Sequence, residues 1–415
     1  MPISAVTGLS DNVLSLNTKT LMIAAEVADS MPYVKASRSY MKETDLKGKK
    51  YGKTYTIYIP SPGTAVDGVV ADPDAFVETT ITVTLDNTNT SINLDAWNRF
   101  SQIEDFEKEV ARPKGIMLAK KTQRKIIQNT YTQSLNAVVG DVSLATLSSG
   151  AALIRDEAVP GDLSTFINPK IASAISAAAL GKFIPSEEMK EIYRSFYLGE
   201  FGDSSIVNIP GLPVVDMAGI ALAAATVTLT PVTDSTGATT GYAEITSVTG
   251  TGLKQGWAFN ISGLNVVGVD GVETDNQAVI VLGTVNTAGT SASISPLRIA
   301  VGSNRDNNPN AFVETAFGGT TATLVPLAAF TASGAAAKYA VGIARENDAL
   351  AFDQYVLCDK LPGGEFSRMA VDGVSIELST WGYGKDLSSL VRADLAFAAA
   401  IPDSRRQCVI YFAQS

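Results

Sequence analysis

Between Ser195 and Ala337 the chain has only three basic residues, Lys254, Arg298 and Arg305, although the sequence on either side is rich in charge. Most of that stretch is Thr, Val, Gly, Ser and Ala in short alternating runs. Thr, Ser and Gly supply 30 of the 79 residues from Leu222 to Ala300, which leaves little for a helix to use. A period of two predicts strands over Thr226–Thr230, Tyr242–Val248, Trp257–Ser262, Asn265–Val269, Ala278–Val285 and Ser291–Val301. Turn chemistry at Asp234–Gly241, Gly250–Gly256 and Asp270–Asn276 separates them. Short strands joined in this way predict a small barrel or sandwich, a separate module set into a chain with helical flanks.

At 415 residues the chain is long enough for two or three domains, and 46% hydrophobic with 18% charged residues fits a globular protein. The formal charge is −10, yet 16 of the 32 basic residues lie between Lys19 and Lys125, so one face near the N-terminus is expected to be locally basic. Histidine is absent. That removes Ser-His-Asp and Cys-His chemistry and His-based zinc sites, so an enzyme is not expected. The two cysteines, Cys358 and Cys408, make no disulfide framework and suit a reducing compartment. With no signal-peptide pattern at the start and no apolar run approaching the roughly 20 residues of a spanning helix, a soluble cytoplasmic product is expected.

Along the chain, Asp11–Ser30 has a helical pattern ended by Pro32. Strands are predicted around Tyr55, Ile57 and Ile59, and around Ile81, Val83 and Leu85, with a long loop of 17 residues, Ser61–Val77, between them. Ser101–Val139 is the main helical region: Ile103, Phe106 and Val110 form one stripe, and Ile127, Tyr131, Leu135 and Val138 another. Pro113 and Gly115 predict a kink or break between these halves. Seven bases from Lys108 to Lys125 make either a solvated face or one turned toward a polyanion. Asn168 is placed to cap a helix with Pro169 at its first position and Gly181 after its end. Ser186 is placed to cap another, with Glu187 and Glu188 in its first turn. Val374, Ile376 and Leu378 alternate as a strand; Leu387–Ala400 reads equally as helix or strand; Cys408–Phe412 reads as a buried final strand. No phosphate-cradling loop occurs. Asp270–Asn276 lacks the ligand order of an EF-hand and reads as an ordinary turn.

Four motifs and their order resemble the major capsid proteins of tailed bacteriophages, the HK-ninety-seven-like (Johnson) fold, and among them the podovirus coat proteins of the P-twenty-two type. The motifs are Phe166-Ile-Asn-Pro, Asn208-Ile-Pro-Gly-Leu-Pro-Val, Gly252-Leu-Lys-Gln-Gly-Trp-Ala-Phe-Asn-Ile-Ser-Gly-Leu, and Lys385-Asp-Leu-Ser-Ser-Leu with Arg392. The resemblance implies an α+β chain: an N-terminal arm (1–35), an extended loop and peripheral strands (36–100), a spine helix (101–140), an apical domain (141–221), an inserted antiparallel β-barrel (222–315) and a return (316–415). It implies a shell of pentamers and hexamers around double-stranded DNA, built with scaffolding, portal and decoration proteins, and no cofactor. Lys108, Arg112, Lys114, Lys120, Lys121, Arg124 and Lys125 would face the DNA. Pro62, Gly63, Asp67, Asp72 and Asp74 would lie in a loop reaching a neighbouring subunit. Thr233, Asp234, Ser235, Thr236 and Gly237 would form a loop between capsomers. Family loops there are more charged; with Asp234 alone, salt bridges between capsomers are not expected, and neither is Lys–Asn cross-linking. The alternatives are an encapsulin-type compartment of the same fold, a secreted Thr- and Gly-rich adhesin, and a two-carboxylate glycosidase.

Overall fold

The computed structural model describes residues 16–35, 37–39, 54–60, 78–94, 111–179, 197–201, 204–233, 239–301, 311–313, 321–332, 334–355, 364–383 and 388–414. They form two compact units. The first draws on Met1–Tyr55, Val83–Ile126 and Ala351–Ala399; the second on Thr56–Thr82, Ile127–Leu350 and Ala400–Ser415. Helices and strands are mixed throughout, so the chain is α+β as expected.

In the first unit the strands Ala351–Gln354, Ser388–Ala400, Val374–Tyr383 and Gly364–Val371 lie side by side, and Asp86–Leu94 also pairs with Ser388–Ala400. A two-residue turn, Asp372–Gly373 with φ of 47° and 78°, joins the last two in space, the geometry that matches the natural twist of a hairpin. The undecided segment is the strand Ser388–Ala400. From Ala393 to Ala398 it is buried on both faces, so the alternation that marks a half-exposed strand is absent. Helix Leu16–Asp29 rests on the strands Gly364–Val371 and Val374–Tyr383, and its buried residues Thr20, Ile23, Ala24, Val27 and Ala28 are spaced as one helical face.

The described main helix runs from Arg112 to Thr130 and ends before the Val139 that the sequence suggested; the expected stripe Ile103, Phe106 and Val110 lies outside the described residues. A π turn at Ala111 leads directly into the helix, whose second residue is Pro113. Gly115 does not break it. A Cβ there would stand 2.8 Å from Glu26 Cβ, so the glycine admits the neighbouring helix Leu16–Asp29. The stripe expected to continue through Tyr131, Leu135 and Val138 is not helical: Val138 lies in the strand Asn136–Gly140. The helix stops because buried Gln407 donates its amide N–H groups to the carbonyls of Thr130 (2.9 Å) and Tyr131 (3.4 Å), satisfying its last acceptors. Ser134 Oγ then bonds the Asn136 and Gln407 carbonyls, fixing the turn into the strand.

The second unit is built on a seven-stranded sheet in the order Asn136–Gly140, Gln407–Ala413, Lys338–Glu346, Leu163–Ile167, Ser204–Asn208, Tyr197–Phe201, with Val214–Asp216 also pairing Lys338–Glu346. Helices Leu144–Asp156 and Pro169–Ala179 contribute to its core, with Leu147, Ile154, Ile171 and Ile175 in one buried cluster with Ile410 and Phe412. Asn168 caps the second helix as read from sequence: its Oδ1 accepts from Lys170 N at 3.0 Å. The expected positions Gly181 and Ser186–Glu188 lie outside the described residues.

The β-module is an excursion from this sheet. Asp216 pairs with Lys338 on adjacent antiparallel strands, so the chain leaves and re-enters at neighbouring positions. Among the described residues it has nine strands, including Thr226–Thr228, Thr230–Thr233, Thr239–Thr249, Ala258–Val267, Glu273–Val281, Ser291–Val301 and Ala311–Val313. Hydrogen bonds Gly283 N to Ser293 O (2.7 Å) and Ser293 N to Thr284 O (2.9 Å) bring the chain beyond Val281 against the next strand, closing a circuit of strands. Three details differ from expectation. The two strands predicted at 257–269 are one, Ala258–Val267, with extra residues bulged between Asn260 and Asn265 and Gly263 at φ 77°. One pair, Ile299–Val301 with Ala311–Val313, is parallel, so the module is not wholly antiparallel. The sheet also continues past residue 315, through Thr321–Thr323 and Val325–Pro326. Asp270–Gly271 turns as expected, Asp270 Oδ1 accepting from Val272 N, but Glu273–Asn276 already belong to a strand.

Candidate functional site

Helix Arg112–Thr130 carries six bases and no acid. Its buried side includes Leu118, Ala119, Thr122, Gln123 and Ile126. The other side exposes Lys120, Lys121 and Arg124 around Met117, itself 62% exposed. The seven residues named from sequence do not form one free face. Lys114 Nζ donates to Ser91 O at 3.2 Å, and Lys125 bonds the Asp86 carboxylate and, at 3.4 Å, Asn87 O. These two lysines thereby cover carbonyls along the strand Asp86–Leu94. Arg112 is exposed in the first turn, and Lys108 lies outside the described residues. The face left to meet a ligand is Lys120, Lys121 and Arg124, which can hold phosphates as a row of cations without reading bases.

Of the loop residues named from sequence, only Thr233 is described. It is the last residue of the strand Thr230–Thr233, paired with Thr239. Asp234, Ser235, Thr236 and Gly237 lie outside the described residues, as do Pro62, Gly63, Asp67, Asp72 and Asp74.

The joint between module and parent sheet holds a cluster of hydrogen bonds and ion pairs, of which the sequence marked Lys254, Gly256 and Trp257 within a motif but not Asp216, Glu157, Asp403 or Arg405. At the neck, Lys254 Nζ bonds Asp216 Oδ2 (2.9 Å) and Ala218 O (3.0 Å), and Trp257 Nε1 donates to Asp216 O (2.8 Å). The Ala218 N–H, then Lys254, hold the Asp216 carboxyl below its ordinary range. Gly256, at φ 83°, gives its carbonyl to Tyr411 Oη at 2.8 Å. The first part of the motif, Gly252–Trp257, is therefore at the neck of the module, and the rest enters its strand Ala258–Val267. Arg298, opposite Glu244 in register, pairs with it at 2.8 Å. Both described bases of the basic-poor stretch are thus used inside the chain; Arg305 lies outside the described residues.

Beneath the module, Arg405 is 4% exposed and makes a two-pronged pair with Asp403, Nε to Oδ1 and Nη2 to Oδ2, both at 2.9 Å. Its Nη1 donates to the module carbonyls of Gly268 (3.0 Å) and Val267 (3.3 Å). Burial alone would raise the Asp403 carboxyl; the Arg405 charge and hydrogen bonds outweigh it and hold it below its ordinary range. Arg406 Nη1 reaches Glu346 Oε2 at 2.6 Å. Glu157, at the end of helix Leu144–Asp156, accepts the Val269 N–H on its main-chain oxygen at 2.8 Å. Its fully buried side chain is pushed up to about 8 by burial, against the pull of Asn136 and Arg405. The sequence signal available for this cluster was Asp403-Ser-Arg-Arg ahead of an apolar strand, a turn cap doubling as an ion pair. Glu157 gave none.

No family model and no curated protein sequence matches the chain. Solved structures similar to it include a chain from Mycobacterium phage Che8, at 10% identity over 92% of this chain and 90% of that one, with a TM-score of 0.43. The head structure of Helicobacter pylori bacteriophage KHP40 is similar at 9% identity over 93% and 91%, TM-score 0.43. The capsid structure of cyanophage P-SCSP1u is similar at 8% identity over 91% and 90%, TM-score 0.41.

Proposed function

We propose that this chain is the major capsid protein of a tailed bacteriophage, assembling with copies of itself into an icosahedral shell around double-stranded DNA. The observation that carries the reading is how the β-module is built in. It leaves a mixed sheet at Asp216 and returns beside it at Lys338, with Lys254 and Trp257 of the Gly252–Leu264 motif at its neck. That is the element order on which the coat-protein resemblance rests. The role is structural, not catalytic: a chain without histidine has no side chain whose unperturbed pKa lies near neutrality. Assembly in the host cytoplasm with scaffolding, portal and decoration proteins belongs to the same reading.

The exposed row Lys120, Lys121 and Arg124 supplies the face for packaged DNA. Contacts to phosphate are independent of sequence and weaken with salt, as packaging any genome requires. The triple variant K120E/K121E/R124E tests this. Such exposed substitutions change stability by only about 0.5 kcal/mol each, so particles are expected to pellet as before. Filled particles from an infection supported by the variant are expected to retain less DNA, with release at lower salt. Unchanged DNA content and release would remove this face from the account.

A further inference from the structure

We propose that Glu157 is a proton-held latch between the inserted module and its parent sheet: protonated, it lets the module seat, and on losing its proton it loosens the segment 266–272. The inference stands apart from the capsid reading.

The geometry puts Glu157 at the joint itself. Its main-chain oxygen accepts from Val269 N, and the next carbonyls along, Val267 and Gly268, accept from Arg405. Its side chain is fully buried, and neither carboxyl oxygen receives a hydrogen bond of good geometry among the described residues, the Asn136 amide lying near enough only to favour the ionised form in part. A buried carboxylate without such bonds is costly, and taking up a proton removes that cost. The groups facing it do not supply a free counter-charge. Arg405 is already spent on Asp403 through two hydrogen bonds. Asp403 and, on its own helix, Asp156 repel the ionised form, while the Asn136 amide and Arg405 favour it without overcoming burial. From the strand Gln407–Ala413 comes Cys408, whose thiol burial pushes far up and which therefore stays neutral. From the module comes Asp270, near Arg405 and a further draw on its charge.

The sign follows from linkage. The closed joint holds the Glu157 proton up to about pH 8, whereas an opened joint releases it near the ordinary carboxyl value of 4.5. Opening therefore becomes more favourable as pH rises between those values, about tenfold per unit, and levels off above the upper one. Glu346 is also raised by burial, against Arg406, and shares this direction. A variant must therefore separate the two.

Amide hydrogen exchange in the full-length chain, corrected for intrinsic chemistry, reads the opening. Between pH 6 and 8, protection in peptides covering 266–272 is expected to fall about tenfold per unit, while peptides in the helix Pro169–Ala179, away from both Glu157 and Glu346, keep theirs. In E157Q, where nothing titrates at that position, the slope is expected to vanish. A flat wild-type profile, an equal slope everywhere in the second unit, or a slope surviving in E157Q each overturns the proposal. If E157Q does not fold, the contrast between the two wild-type regions still decides.

Discussion

Replacing Arg405 with alanine is expected to destabilise the second unit by about 3–5 kcal/mol, the cost of stripping one partner from a buried ion pair. The loss has three parts. Asp403 keeps its charge at the edge of the core without the guanidinium that now holds it below its ordinary range. The Val267 and Gly268 carbonyls lose their donor, and buried acceptors left unmade cost about 1–3 kcal/mol each. The aliphatic stem also leaves a void. Urea or guanidinium unfolding of wild type and R405A measures the sum. The double variant R405A/D403A should recover part of the loss, because it removes the orphaned carboxylate as well. A loss below about 1 kcal/mol for R405A would put Arg405 among ordinary surface pairs and break this description of the joint.

Gly256→Ala is expected to cost about 3 kcal/mol, combining left-handed strain of about 1–2 kcal/mol with overpacking of about 1–3 kcal/mol. Gly256 has φ 83°, and a Cβ there would stand 2.7 Å from Tyr131 Oη and 2.8 Å from Val215 Cγ2. Its N–H and C=O are both engaged, with Leu282 O and Tyr411 Oη at 2.8 Å, so the backbone has no easy retreat. Gly263 provides the matched comparison. It has φ 77° and nothing within 4 Å of a built Cβ. Gly263→Ala therefore carries the strain alone, about 1–2 kcal/mol. Thermal unfolding of the two variants separates crowding from strain; equal losses would mean that the neck is not tightly packed at Gly256.

The parts of this fold legible in the sequence are those written in local chemistry. Asn168-Pro169 opens a helix because the cap bonds two residues away. Val374, Ile376 and Leu378 alternate with Ser375, Glu377 and Ser379, so apolar and polar side chains take opposite faces of the strand even though Glu377 and Ser379 are buried too. The basic-poor stretch gave a separate β-module for the same reason. What the sequence hid is decided by residues far along the chain. The helix ending at Thr130 stops at the side chain of Gln407, 277 positions on, where local periodicity predicts continuation. Gly115 looked like a breaker and is a contact with Glu26. The bulge at Gly263 merges two apparent strands because their partner Glu273–Val281 is continuous. At the candidate surfaces, composition found the basic helix but not that Lys114 and Lys125 are drawn onto a neighbouring strand. It gave no sign of Glu157, whose setting comes from Arg405 and Asp403 some 250 positions away.

That two of the module's three bases are held inside the chain bears on how copies would meet. Lys254 fastens the neck and Arg298 a strand pair, so contacts made through the module are expected not to be chiefly ionic. Whether the chain builds a shell is read by electron microscopy of the expressed chain with scaffolding protein supplied. Closed, roughly isometric particles assembled from this chain are the predicted result. A monodisperse single chain under every assembly condition would contradict it.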